Sequence, residues 1–159
     1  MRRDLIALPA DSKVWVYQSD RLISDETTEQ IMSSLYDFTM KWASHGHELD
    51  SYANVFHYRF LVLVADGSHL PSGCSIDSSV HMIEDLGKKH GLQLFDRMQF
   101  AYMENDTIYT IASSDLPDAY KAGKVTDDTL FFNNLVNTKS SFLEEWIVPL
   151  SESWHTRFL

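Results

Sequence analysis

The stretch VFHYRFLVLVA, Val55 to Ala65, decides how the rest of the chain is read. Its first half alternates polar and apolar residues, the period-two signature of a strand with one wet face. Its second half, FLVLVA (Phe60 to Ala65), is apolar at every position, as in a strand covered on both sides. Six apolar residues fall far short of the roughly 20 that a membrane helix needs. We therefore read Val55–Ala65 as one central strand of a globular sheet.

KVWVYQ (Lys13 to Gln18) alternates and is rich in β-formers, which predicts a short strand before it. Ser24, followed by Asp25, Glu26 and the Thr27/Gln30 pair, has the signals of a helix start. Ile31, Leu35, Phe38 and Trp42 then fall on one helical face, and Gly46 is expected to close the helix as a C′ glycine. After the loop DGSHLPSGC, a second helix is expected from about Ile76 to Lys89, closed by His90-Gly91. RMQFAYM and TIYTIA flank Asn105-Asp106, a hairpin with a tight turn. Ser114 is placed to cap a short helix, DLPDAYKA, ending at Gly123. TLFFNNLV (Thr129 to Val136) reads as a strand and Ser140–Trp146 as a helix. Pro149 interrupts that helix, and Ser151 is expected to cap a last short one. The pattern predicts an α+β or α/β fold: one domain over residues 1–159, with a mixed or antiparallel sheet of about four or five strands, two main helices and a central hairpin.

The chain has 159 residues and a net charge of −10. No cluster of Lys and Arg offers a surface for phosphates, so nucleic acid and anionic membranes are not expected partners. A single cysteine forms no internal disulfide, and MRRDLIALPADSK lacks the apolar core of a signal peptide, so we expect a cytoplasmic protein. No G-x-x-x-x-G-K-[ST] loop, dinucleotide fingerprint or G-x-S-x-G elbow occurs, and no cofactor is expected.

SGCSIDSSVH, Ser72 to His81, is the chemically densest stretch. With Ser75 as the cap, Cys74 would lie beside free amides at the positive end of a helix, the setting of an activated thiol. The ordinary alternative is a buried cysteine packed as a small hydrophobe, and we favour it. A base for Cys74 is hard to find. His81 lies roughly 9 Å up the helix axis, with Asp77 as its expected neighbour at i−4. His57 lies some 25 Å away along its strand. Only His69, in the loop, is within reach. Alternatively Ser72, Ser75, Ser78 and Ser79, with Gly73, could cradle an anion, but Asp77 already occupies the favourable field, and plain capping is the better reading.

His45, His47, Glu48 and Asp50 are irregularly spaced for a metal, and none is expected there. Arg59, on the strand, points to a bound anion or to an internal salt bridge. Phe131, Phe132, Asn133, Asn134, Phe142, Trp146, Trp154 and Phe158 make the last third aromatic and polar together, which fits a packed core or a partner surface equally.

KVWVYQSDR, FHYRFLVLVAD, SGCSIDSSVH, VTDDTLFFNNLVNTK and EEWIVPLSESWHTRFL together resemble a group of small bacterial proteins of about this length, often labelled automatically as ABC transporter ATPases. The resemblance covers nearly the whole chain. The label implies nucleotide hydrolysis, which this sequence does not support, since it lacks the phosphate-binding loop. AYKAGKVTDDTLFF followed by Trp146 is also similar to small GYF-like interaction modules, which implies binding rather than catalysis. We expect a binding or adaptor protein that uses aromatic surface against another protein or against itself. The alternative is a cysteine-dependent enzyme or thiol sensor built on Cys74 and His69.

Overall fold

The computed structural model describes residues 1–68 and 72–159. Val55–Ala65 is not one strand. His57 and Tyr58 both take left-handed backbone, with φ of 55° and 54°, and fold the stretch into a hairpin. β1 (Lys13–Gln18), β4 (Ser51–Phe56) and β5 (Phe60–Ala65) form a three-stranded antiparallel sheet in the order β1-β5-β4. Of the alternating half, Val55 and Phe56 end the edge strand β4 and His57, Tyr58 and Arg59 form the turn, while the apolar run is the central strand β5. The edge strand has a wet face, and the central strand has none.

All six residues of β5 are fully buried, because the sheet lies between two different cores. Leu61, Leu63 and Ala65 face α1 (Asp25–Lys41) and α2 (Gly73–His90), against Ile31, Leu35, Ile83 and Leu86. Phe60, Val62 and Val64 face a second sheet, against Ala101, Phe132, Phe142 and Trp146. That second sheet has the order β7-β6-β8-β9, all antiparallel: β6 (Gln99–Glu104), β7 (Thr107–Ala112), β8 (Leu130–Phe132) and β9 (Ile147–Pro149). Its outer face, Phe100, Tyr102, Ile111 and Phe131, packs on Leu116 and Ala119 of α3 (Leu116–Lys121) and on Leu150, Trp154 and Phe158. The layers run helices, sheet, sheet, then a short helix with the C-terminal 3-10 turns. The α+β expectation holds, but the strands are divided between these two sheets and a small hairpin, β2 (Ala43–Ser44) with β3 (His47–Glu48).

Several boundaries move, each for a local reason. Ser24 caps α1 as expected, accepting from the Thr27 amide. Gly46 does not close that helix: α1 stops at Trp42, and Gly46 with His45 turns the β2–β3 hairpin. α2 begins three residues earlier than Ile76, because Ser72 rather than Ser75 is its cap. It ends as expected on Gly91, whose left-handed φ of 65° closes the last turn. Asn105 and Asp106 make the predicted tight turn. Asp115, not Ser114, precedes α3, without a side-chain cap. TLFFNNLV is strand only over Leu130–Phe132: the Asn133 amide still reaches the Trp146 carbonyl, and the Asn134 and Val136 amides then bond back to Phe132 and Asn133 as the chain turns. α4 (Lys139–Glu145) is opened by a capping box between Thr138 and Ser141. Pro149 sits in β9, and Ser153, not Ser151, caps the last 3-10 turn, Trp154–Phe158. Among the described residues, no helix is long and apolar enough to cross a membrane.

Candidate functional site

The Ser72–His81 stretch is consumed by its own helix. Ser72 Oγ accepts from the Ser75 amide at 3.1 Å. Ser75 Oγ donates to the Ser72 carbonyl at 2.8 Å, Ser78 Oγ to the Ser75 carbonyl at 2.8 Å and Ser79 Oγ to the Ile76 carbonyl at 2.6 Å. The Ser72 amide in turn donates to Ser44 Oγ. Ser75 and Ser79 are buried, and the Trp42 indole donates to the Ser75 carbonyl. Hydroxyls spent in this way are capping groups and not an anion cradle. Gly73, Asp77 and Ser78 are exposed.

Cys74 is exposed, contrary to the expectation of a packed thiol. It takes the outward side of the first turn, while Ser75, Ser79, Ile83 and Leu86 take the inward side. His81 pairs with Glu84 at 3.5 Å and not with Asp77. His57, at the β4–β5 turn, stands at the opposite end of β5 from the loop that leads to the start of α2 and Cys74. His69 lies outside the described residues. Among the described residues, no three His, Cys, Asp or Glu side chains are grouped to share a metal ion.

Arg59 is not on a strand face. It follows the turn and is buried, with Nη2 donating to the Asp20 carbonyl at 3.1 Å and Nε without a protein partner. Burial pulls its guanidinium below the usual range, and nearby Asp20 opposes that shift. The Arg59 carbonyl accepts from the Ser19 amide, so the residue ties the hairpin to the chain after β1. This is a structural tether.

Where the two sheets meet, they leave a cleft of about 50 Å³. Val16, Ala101 and Phe132 form an apolar lining, and Phe95 and Leu135, which are 43% and 54% exposed, stand at its rim. A polar chain runs along it. Gln18 Nε2 donates to the Gln99 carbonyl, Asn134 Nδ2 to Gln18 Oε1, and Trp146 Nε1 to Asn134 Oδ1, each at 2.9 Å. These donors and acceptors satisfy one another and make that stretch of wall rigid, while the Trp154 indole nitrogen, also in the lining, is buried without a protein partner.

The C-terminal turn closes the cleft with Trp154 and His155. Ser153 Oγ lies 2.6 Å from His155 Nδ1, which invites comparison with a nucleophile and its base. Both residues are buried, and Ser153 also caps the turn by accepting from the His155 amide. His155 packs on Trp154, Phe100 and Phe131, and burial pushes its pKa down to about 4. It is a neutral packed ring at neutral pH.

Of the aromatic residues weighed as partner surface, Phe131, Phe132, Phe142 and Trp146 are core, at 0%, 1%, 4% and 5% exposure. Their polar neighbours serve the cleft instead. Gln18, Phe95, Leu135 and His155 were not singled out from the sequence. The only signal was the apolar Leu135 directly after Asn133-Asn134, a turn that interrupts an otherwise apolar strand. Comparison of the chain with protein-family models, with curated proteins and with solved structures gives no match.

Proposed function

We propose that this chain is a non-enzymatic binding protein that anchors one apolar side chain of a protein partner in the cleft between its sheets. The observation that carries the reading is the pair of exposed apolar rim residues, Phe95 and Leu135, over a preformed apolar recess. The recess is far below the roughly 300–1,000 Å³ of a pocket for a cofactor or a drug-sized substrate. At about 50 Å³ it suits the end of a single side chain, the geometry of an interface anchor. The similarity of AYKAGKVTDDTLFF to GYF-like modules points the same way. With its net charge of −10 and lone thiol, we place the protein in the bacterial cytoplasm.

A photo-crosslinking residue at Leu135, compared with one at Ile6, tests this. Ile6 is 90% exposed and not part of the cleft lining. We expect a partner crosslinked from Leu135 alone, and at least tenfold weaker binding of that purified partner by Leu135→Arg. Equal capture at both positions, or full affinity in Leu135→Arg, refutes the reading.

The exposure of Cys74 favours a second reading, a thiol sensor or thiol-dependent enzyme. Cys74→Ala separates the two: a binder keeps its partner, and an enzyme or sensor loses its response.

A further inference from the structure

A second recess, of about 230 Å³, lies between the β4–β5 turn and α4 and shares no lining residue with the cleft between the sheets. Its walls are rings set at steep angles. Phe56 stands edge-on to Phe142 at 5.3 Å and 80°, and to Trp146 at 5.8 Å and 89°. His57 leans on Trp146 at 5.7 Å. The Trp146 indole nitrogen is held by Asn134, so the orientation of that ring is set from behind.

The turn that delivers His57 is unusual. Two successive non-glycine residues hold left-handed backbone where Asn-Gly would be the ordinary solution. Persistent strain of this kind needs surroundings that enforce it, and it concentrates at functional positions. Here it holds an exposed imidazole against Phe60, Phe132 and Trp146 as one wall of the recess.

Ring faces carry negative potential and attract a cation; of the rings here, Phe56 and His57 are accessible, while Trp146 and Phe142, at 5% and 4% exposure, back them. Glu144 supplies the one formal charge in the lining, and it has no ion-pair partner among the described residues. Glu145 follows it. Burial lowers the pKa of His57, which keeps that wall uncharged at neutral pH. The recess is therefore aromatic and anionic, without a competing positive charge. Leu143, in the lining, and Tyr58, beside His57 in the turn, are 60% and 50% exposed, giving more area than a free small ion would cover.

We propose that this recess binds the cationic side chain of a lysine or arginine on a partner polypeptide, with Phe56 and His57 beside the charge, Trp146 behind them and Glu144 at the mouth. The site is separate from the cleft lined by Leu135, and its failure would leave that reading standing.

The test is a titration followed by NMR, using three peptides that differ only at a central residue: lysine, trimethyl-lysine or neutral norleucine, each flanked by leucine and glycine. We expect the two charged peptides to shift the Trp146 indole and His57 signals and to bind about ten times more tightly than norleucine. Glu144→Gln, at an exposed helical position that does not support the core, should weaken the lysine peptide by about three- to tenfold. Equal binding of the norleucine peptide overturns the proposal, as does an unchanged affinity in Glu144→Gln. Tetramethylammonium binding as tightly as the peptides would also overturn it, by making the guest a small cation and not a side chain.

Discussion

Gln18 is where the two sheets are joined by hydrogen bonds and not by apolar contact alone. It ends β1 at 8% exposure, donates to the Gln99 carbonyl on β6 and accepts from Asn134 beyond β8. Gln18→Leu keeps the volume and removes both bonds. Two partly buried groups, the Gln99 carbonyl and the Asn134 amide, are then left without partners. Each such group costs about 1–3 kcal/mol, and the new leucine returns part of that through apolar burial. The expected net loss is about 2 kcal/mol, which for a chain of this size lowers Tm by about 4–8 °C. Urea unfolding followed by tryptophan fluorescence measures it as a shift in midpoint at constant slope. Asn134→Leu alone breaks the same chain and frees the Trp146 indole as well. The double variant should therefore be less damaged than the two singles added together, with a coupling of about 1 kcal/mol. A loss under about 0.5 kcal/mol for Gln18→Leu, or additivity in the cycle, would show that apolar packing alone joins the sheets.

Other substitutions test other links. Tyr58→Gly relieves a left-handed residue whose side chain is half exposed, and should raise stability by about 1 kcal/mol, read by the same urea assay; a loss instead would mean that the tyrosine ring contributes more than the strain costs. Lys139 is buried and its ammonium donates to the Ile6 and Leu8 carbonyls, so Lys139→Met should cost about 1–3 kcal/mol and speed hydrogen exchange over residues 5–10; unchanged exchange there would refute the tether. His155 has a folded pKa near 4 against 6.5 in the unfolded chain, so the unfolded state takes up the proton first as pH falls. Its contribution to stability is complete above about pH 6.5 and is lost towards pH 4, roughly 3 kcal/mol in all. His57 and His90, also lowered by burial, act with the same sign. His155→Phe should flatten that slope, and an unchanged slope in the variant would show that the ring is not the titrating group.

How far the sequence can be read is seen in FLVLVA itself. Apolar residues at every position correctly require cover on both faces, and the structure supplies helices on one and a sheet on the other. What the sequence hides is the turn before it. A left-handed His-Tyr pair carries none of the Asn, Asp or Gly chemistry that marks such turns, unlike Asn105-Asp106, which was read correctly. The same limit applies to the α2 start. Several serines in a row can each serve as cap, and only the choice of inward face by Ser75 and Ser79 selects Ser72. That choice also turns Cys74 outward, which no local pattern reveals. The cleft residues were illegible for a different reason. Gln18, Asn134 and Trp146 are distant in sequence, and a polar residue at a strand end reads as solvated until its partner is placed.

The polar chain also explains why both proposed sites lie where they do. A purely apolar join between sheets would tolerate sliding, since apolar contact is non-directional. Gln18, Asn134 and Trp146 fix one register by directional bonds, and every bond must be made because each group is partly or wholly buried. Around such a fixed join, the sheets cannot close over their own edges. One end of the chain of bonds leaves the recess under Leu135, and the far side of Trp146 leaves the aromatic recess beside His57. Both sites are thus built on rigid, preorganised walls, so little ordering is needed when a side chain enters. The chemistry differs because the walls do: the first lies between strands with apolar floors, and the second between a turn and a helix that ends in two glutamates.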